Sequence, residues 1–325
     1  MTTAYQAAHT GAAVLDRSHW GCISVAGADR IRFLHNQTTN DFQQLQPEQG
    51  CSTVFVTSTA RTLDWVTAYI RSDDVLLLTS PEMAGTLVDW MDRYIFFADK
   101  VTLKDVTDQT FIFYLVGPAA ADKLAPLVAT PLPETPYDQA PVTVSGVELT
   151  LAANSGLALP GYTLIGPQSE AQTVWQSLTQ AGILPLSAEE WERLRVEQGR
   201  PLPSKELTDA DNPLEAGLWS AISFDKGCYI GQETIARLNT YKGVKKRLWG
   251  LELSQMAEPG TVLTLNGEKV GEVRSTVARP DGTAVGLGYV RTKAGGEGLG
   301  LQAESAQVTT RDIPLLSHDY FETAS

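Results

Sequence analysis

Cysteine is scarce in this chain: Cys22, Cys51 and Cys228 are spread over 325 residues. They are too few and too scattered for a disulfide framework or a paired-cysteine metal motif. A reducing, cytoplasmic setting is the simplest expectation. Histidine is equally sparse, and His9, His19, His35 and His318 stand alone, which excludes zinc-protease spacing. His19 and Cys22 lie three apart, but a metal needs three or four ligands and none is close in sequence, so no metal is expected. No run approaches ~18 uninterrupted apolar residues, so no membrane span is expected. The opening "MTTAYQAAHTGAAVLDRSHWG" lacks both a basic start before an apolar core and an arginine-rich character, so we read no presequence in it. Positive charge is in deficit as well. A net charge of −13 argues against a general nucleic-acid binder, because neutralising phosphates needs a cationic face. Standard nucleotide and nucleophile motifs are also missing. "GGEGLG" at 295–300 has the wrong glycine spacing and no helix after it, and there is neither a phosphate loop nor a serine elbow.

What remains is ordinary globular composition, 43% apolar and 19% charged, in a chain long enough for two or three domains. Three regions read differently. In the first, roughly 1–109, "GADRIRFLHNQTTNDF" places Ile31, Phe33 and Leu34 on the buried side of a short helix. "TLDWVTAYI" and "VLLLTS" read as neighbouring strands, and "EMAGTLVDWMDRYIF" as an amphipathic helix with Leu87, Trp90, Met91 and Tyr94 at helical spacing. The second, 110–244, opens on the strand-like "FIFYLVG" and holds the best-marked helix. Ser187 and Glu190 form a capping box there, Trp191, Leu194 and Arg195 lie on adjoining turns, and Gly199 with Pro201 supplies the stop. The third, 245–325, is short strands and turns with hairpin signals at Asn266-Gly267 and Asp281-Gly282, which suggests a small barrel or sandwich. The expected class is α+β with a C-terminal all-β module.

Four places carry residues suited to chemistry. On the strand "TLDWVTAYI", alternation puts Asp64 on the same face as Val66, Ala68 and Ile70. A carboxylate there is either desolvated and available to a weakly basic ligand nitrogen, or a strand-end residue bonded to local backbone. Glu197 closes the capped helix, where the macrodipole disfavours an acid. It is either solvated or a two-oxygen fork for a ring with adjacent N–H donors. In "DKGCYIGQETIAR", Cys228 precedes a helix start near Gly231 with Lys226 two residues away, and both neighbours favour a reactive thiolate. Gly227 and Gly231 permit a tight turn or a close backbone approach. The plainer reading is a helix-entry turn with an inert cysteine. Glu233 and Arg237, four apart, suit a surface ion pair. The basic run "YKGVKKRL", with Lys242, Lys245, Lys246 and Arg247, is either a solvated loop or an anchor for an anionic ligand tail.

Taken together, "GADRIRFLHNQTTND", "LDW", "RVEQGRP", "NPLEAGL" and "KGCYIGQE" followed by Arg237 resemble the family of folate-binding proteins that includes YgfZ and the aminomethyltransferase of the glycine cleavage system. The resemblance covers most of the chain. It implies a three-domain, ring-like GcvT/YgfZ-type α+β body with a C-terminal β-barrel, and tetrahydrofolate or a one-carbon-substituted folate as cofactor. It implies cofactor contacts from Asp64, Glu197, Arg237, Tyr229 and Gly227, with Glu197 on the pterin and Asp64 beside the one-carbon position. Cys228 and Lys226 match the YgfZ branch, whose members support iron–sulfur cluster assembly or repair, so assembly or client proteins are the implied partners of a monomer. One departure bears on activity. Aminomethyltransferases show two successive acids at this strand position, whereas Trp65 follows Asp64 here, and their signature region usually lacks the cysteine. A folate-dependent aminomethyl or methyl transferase is the first alternative, with Asp64 catalytic. A redox or scaffold protein without folate is the second.

Overall fold

The computed structural model describes residues 3–279 and 281–322. It divides into two compact units, one formed by Met1–Thr53 and Trp65–Trp191, the other by Val54–Asp64 and Glu192–Ser325. The boundaries drawn from sequence at 109/110 and 244/245 fall at the start of the strand Thr110–Val116 and just before the strand Lys246–Leu253. The first of them separates Ala13–Asp16 from Thr110–Val116, although these two strands pair antiparallel. Such a pairing spans about a hundred residues, which periodicity cannot report.

Two sheets run through the first unit, and the strand ends 54–56 and 62–64 of one of them count with the second unit. One has the spatial order Gly50–Val56, Thr62–Ile70, Asp74–Pro81, Trp20–Ala26 and Thr102–Asp105. The second runs Leu184–Pro185, Ala13–Asp16, Thr110–Val116, Gly161–Pro167, Val147–Ala152 and Gln139–Val144. Continuous apolar runs form its centre, with Phe111, Phe113 and Leu115 packed together with Val174 and Leu178 of the helix Ala171–Gln180. The helix Arg30–Gln37 buries Phe33 and Leu34 as its spacing predicts. Ile31 is only half-buried, and His35 is buried instead, its Nδ1 3.1 Å from Asp41. The helix Met83–Asp92 buries Leu87 and Met91. It ends before Tyr94, which with Trp90 forms an aromatic pair at 4.9 Å between ring centroids.

The helix Ala188–Gln198 is started and stopped by local chemistry. The Glu190 amide donates to Ser187 Oγ at 3.1 Å, and the Ser187 amide to Glu190 Oε2 at 3.0 Å, which closes the capping box. At the other end Gly199 takes φ +83°, the left-handed conformation that terminates a helix. Trp191, Leu194 and Arg195 are all buried, as their spacing requires.

In the second unit six strands close a barrel in the order Lys246–Leu253, Ala284–Arg291, Glu268–Ala278, Val262–Leu265, Gly300–Ala303 and Ala306–Arg311. Asn266 and Gly267, at φ +52° and +86°, make the two-residue turn that their sequence signals. Leu251, Leu263, Val273 and Val308 belong to the apolar cluster of this barrel. Among the described residues no helix is long and apolar enough to cross a membrane.

Candidate functional site

Asp64, Glu197 and the cysteine motif are far apart in sequence but lie in one structural unit. Asp64 sits on the strand Thr62–Ile70 and is fully buried. Both faces of this strand are covered, so alternation alone did not set its surroundings. The turn leading into it is tied from within and without. The Ala60 amide donates to the Thr57 carbonyl, and the Arg61 amide to Thr57 Oγ1 at 3.0 Å. The Thr62 amide donates to the Asp211 carbonyl at 3.0 Å, and the Arg61 guanidinium to the Ala210 carbonyl at 3.1 Å.

Glu197 is not a solvated helix-end acid. Its side chain is 12% exposed, and Oε1 accepts from Arg193 Nε at 3.1 Å one turn earlier. Its carbonyl accepts from the Arg311 guanidinium at 3.2 Å, which fastens the helix end to the last barrel strand. A buried polar network behind it holds the same helix. The Arg195 guanidinium donates to Glu206 at 3.1 and 3.2 Å, to Glu192 at 2.5 and 2.7 Å, and to Ser275 Oγ at 3.0 Å. Ser275 and the Leu202 amide also donate to Glu206. Burial works to raise the Glu192 carboxyl, but the hydrogen bonds and charges of Arg195 and Lys205 outweigh it and hold the group below the usual carboxylate range.

In the motif, the helix runs Gln232–Thr240 with Gly231 capping it at φ +82°. A side chain at Gly231 would bring Cβ within 2.8 Å of the Thr57 carbonyl oxygen and 3.2 Å of Ala60 Cα. This glycine therefore seats the cysteine loop on the turn that leads to Asp64. Lys226 is buried, with its ammonium 4.8 Å from the centre of the Tyr229 ring, within cation–π reach. Tyr229 is buried too, which pushes its phenol up. Gly227 and Cys228 are exposed, and Arg237 is exposed on the last turn of the helix. Lys226 and Tyr229 are thus brought into contact, and Gly231 joins their loop to the Asp64 turn.

The basic run divides rather than acting as one patch. Lys246 forms an ion pair with fully buried Asp211 and lies 4.5 Å from the Tyr289 ring centre. Its charge is matched by an acid of the same unit. Arg247 covers the Tyr320 ring at 5.3 Å, and Lys242 reaches Glu322 only at 3.8 Å. Lys245 is exposed. In "NPLEAGL", Asn212 Oδ1 accepts from the Leu214 and Glu215 amides at 3.1 and 2.9 Å, so this segment acts as a structural turn beside Asp211. Burial raises the Glu215 carboxyl, against the opposing charge of Lys246.

The three cysteines differ sharply. Cys22 and Cys51 are buried and Cys228 is exposed. Burial pushes the Cys22 thiol up to about 12, partly offset by a hydrogen bond with Thr110. Since the thiolate is the nucleophile, alkylation of the folded protein at pH 8 is expected to reach one site, Cys228. Peptide mapping checks this, and equal labelling of Cys22 would contradict it.

Residues 1–226 match the model of the GCVT N-terminal domain. The chain belongs to the GcvT family. Residues 245–315 match the CAF17 C-terminal β-barrel domain, which places it in the YgfZ/CAF17-type branch. The chain is 42% identical over 325 residues to a chloroplastic protein of Arabidopsis thaliana described as a candidate transferase, a match covering 99% of this chain and 75% of that protein. It is 28% identical over 285 residues to an aminomethyltransferase of Halalkalibacterium halodurans, covering 85% of this chain and 77% of that one. Among solved structures, the glycine cleavage system aminomethyltransferase T of Bartonella henselae has the same fold. The TM-score is 0.84 over 98% of this chain and 90% of that chain, at 20% identity.

The sequence singles out the GcvT-type landmarks but gives no sign of Glu206 and Asp211, the buried acids that pair with Arg195 and Lys246. Glu206 and Asp211 lie in the polar stretch "PSKELTDADNP", whose composition signals solvent rather than burial.

Proposed function

We propose that this GcvT-family protein binds a reduced folate, tetrahydrofolate or a one-carbon derivative. We further propose that it supports iron–sulfur cluster assembly or repair in a reducing compartment such as the cytoplasm, with Cys228 as its reactive thiol. The observation that carries the folate half is the state of Glu197, an acceptor-only carboxylate held largely out of water with one oxygen fixed by Arg193. The pterin ring presents adjacent N–H donors, and a carboxylate is their natural two-oxygen partner, so the donor set fits the ligand. Buried Asp64 supplies a second acid on the strand that follows the Gly231 contact. Bound folate would supply a one-carbon carrier. Glu197 would orient it, and Asp64 would hold a proton or accept a hydrogen bond beside the carrier nitrogen. Cys228, the exposed sulfur, is open to a thiol or iron–sulfur substrate.

A second reading, folate-dependent aminomethyl transfer with Asp64 catalytic, is favoured by the complete burial of that carboxylate. Genetic complementation separates the two. In a deletion strain with lowered activities of several iron–sulfur enzymes, wild type is expected to restore them and Cys228→Ala to fail. Full rescue by Cys228→Ala would remove the thiol from the function. Failure of Asp64→Ala, together with Asp64-dependent turnover of an aminomethylated substrate, would favour the transferase.

A further inference from the structure

The segment Asp312–Glu322 leaves the barrel and runs past the end of the helix that carries Glu197, then past Trp219 and Phe224 to the helix that follows Cys228. The side chain of Ile313 fills the space over Gly199, where an added Cβ would lie 2.7 Å from it, directly after the helix that carries Glu197. The Leu315 amide donates to the Gln198 carbonyl at 3.1 Å, and the Ser317 amide to the Gly217 carbonyl at 3.0 Å. Tyr320 meets Trp219 edge-on at 5.3 Å and accepts from the Val244 amide at 3.2 Å. Phe321 then stacks on Phe224, with ring centroids 4.9 Å apart and planes 11° from parallel. Trp219 stacks on Phe224 in turn, at 5.9 Å. Phe321 also exchanges two hydrogen bonds with Asn239: its amide donates to Oδ1 at 2.9 Å, and its carbonyl accepts from Nδ2 at 3.1 Å.

These two partners bracket the cysteine motif. Phe224 lies two residues before Lys226, and Asn239 lies near the end of the helix that follows Cys228. We propose that Phe321 is a positioning residue for Cys228, clamping the stretch before the cysteine loop to the helix after it. The inference rests on the proposed role of Cys228 and deepens it. The loop is seated on one side through Gly231 against Thr57 and Ala60, and on the other through Phe321. Cys228 can be exposed and still held in one place, because its flanks rather than its own side chain are fixed. The same segment reaches the end of the Glu197 helix, so one strap of chain braces both the carboxylate and the thiol.

Phe321 is 39% exposed, so its loss removes the stack without opening the core. The test uses the full chain with Phe321→Ala, Asn239→Ala and Phe321→Tyr. Two quantities are read: amide exchange over residues 225–235, and the alkylation rate of Cys228. In Phe321→Ala, exchange at 225–235 is expected to quicken by about fivefold, the scale of one lost aromatic pair. Alkylation of Cys228 should shift in step, exchange on the barrel strand Ala284–Arg291 should stay unchanged, and Phe321→Tyr should restore both readings. Asn239→Ala should reproduce the loosening. Unchanged exchange at 225–235 would overturn the proposal. So would an equal rise on the barrel strand, which would mark general loosening instead of a local clamp. Neither reading needs folate or a cluster, so a positive result beside full rescue by Cys228→Ala would remove the proposed function and leave the clamp standing.

Discussion

Glu206→Ala is expected to destabilise the unit holding the barrel by about 3–5 kcal/mol, the scale for breaking one side of a buried ion pair. That corresponds to a fall in its unfolding midpoint of roughly 10 °C. The size follows from what is left behind. Arg195 has no exposed surface, and it is flanked by Glu206, Ser275 and Glu192. Without Glu206, a guanidinium remains out of water with two of its six hydrogen bonds gone, and Ser275 and the Leu202 amide lose their acceptor too. A change of less than ~1 kcal/mol in a calorimetric or denaturant measurement would mean that Arg195 finds water or another acceptor. The network also has a pH signature. The Glu192 carboxyl is held below its ordinary value in the folded state. Its contribution is therefore present above the unfolded-state value of about 4.3 and is lost as pH falls through the folded one. Glu192 is a third exposed, so solvent screening keeps this contribution small beside that of the Glu206 pair.

Local signals in the sequence were enough for the elements, but not for their partners. The helix 188–198 was legible because its start and stop are short-range chemistry, Ser187 with Glu190 and then Gly199. The barrel hairpin at Asn266-Gly267 was legible for the same reason. The pairing of Ala13–Asp16 with Thr110–Val116 was not, since nothing within either strand encodes the other's register. The same limit applied to charges. Asp64 and Glu197 stood out because an acid on an apolar strand or at a helix end breaks a local rule. Glu206, Asp211 and Lys246 broke none: each sits in a polar or basic stretch, and only the folded chain buries the two acids and pairs Lys246 with one of them. In the cysteine motif, the glycine was recognisable as a turn residue. Its close approach to Thr57, like the Phe321 stack, joins segments more than eighty residues apart.

The second large effect concerns Glu197. If its carboxylate receives the N–H donors of a pterin, binding gains charge-assisted hydrogen bonds worth about 1.5–3 kcal/mol. Their loss raises the dissociation constant by about tenfold to a hundredfold. Glu197→Gln is the sharper variant. It keeps the shape and one acceptor oxygen, so Arg193 retains a partner while the negative charge and the two-oxygen fork are lost. Titration of wild type and Glu197→Gln with tetrahydrofolate under reducing, oxygen-free conditions, by calorimetry or by quenching of intrinsic tryptophan fluorescence, tests whether Glu197 recognises a reduced folate. Saturable one-site binding to wild type is expected, with a rise of at least about tenfold in the dissociation constant for the variant and unchanged circular dichroism. Equal affinity in the two proteins, or no binding to wild type, would contradict it.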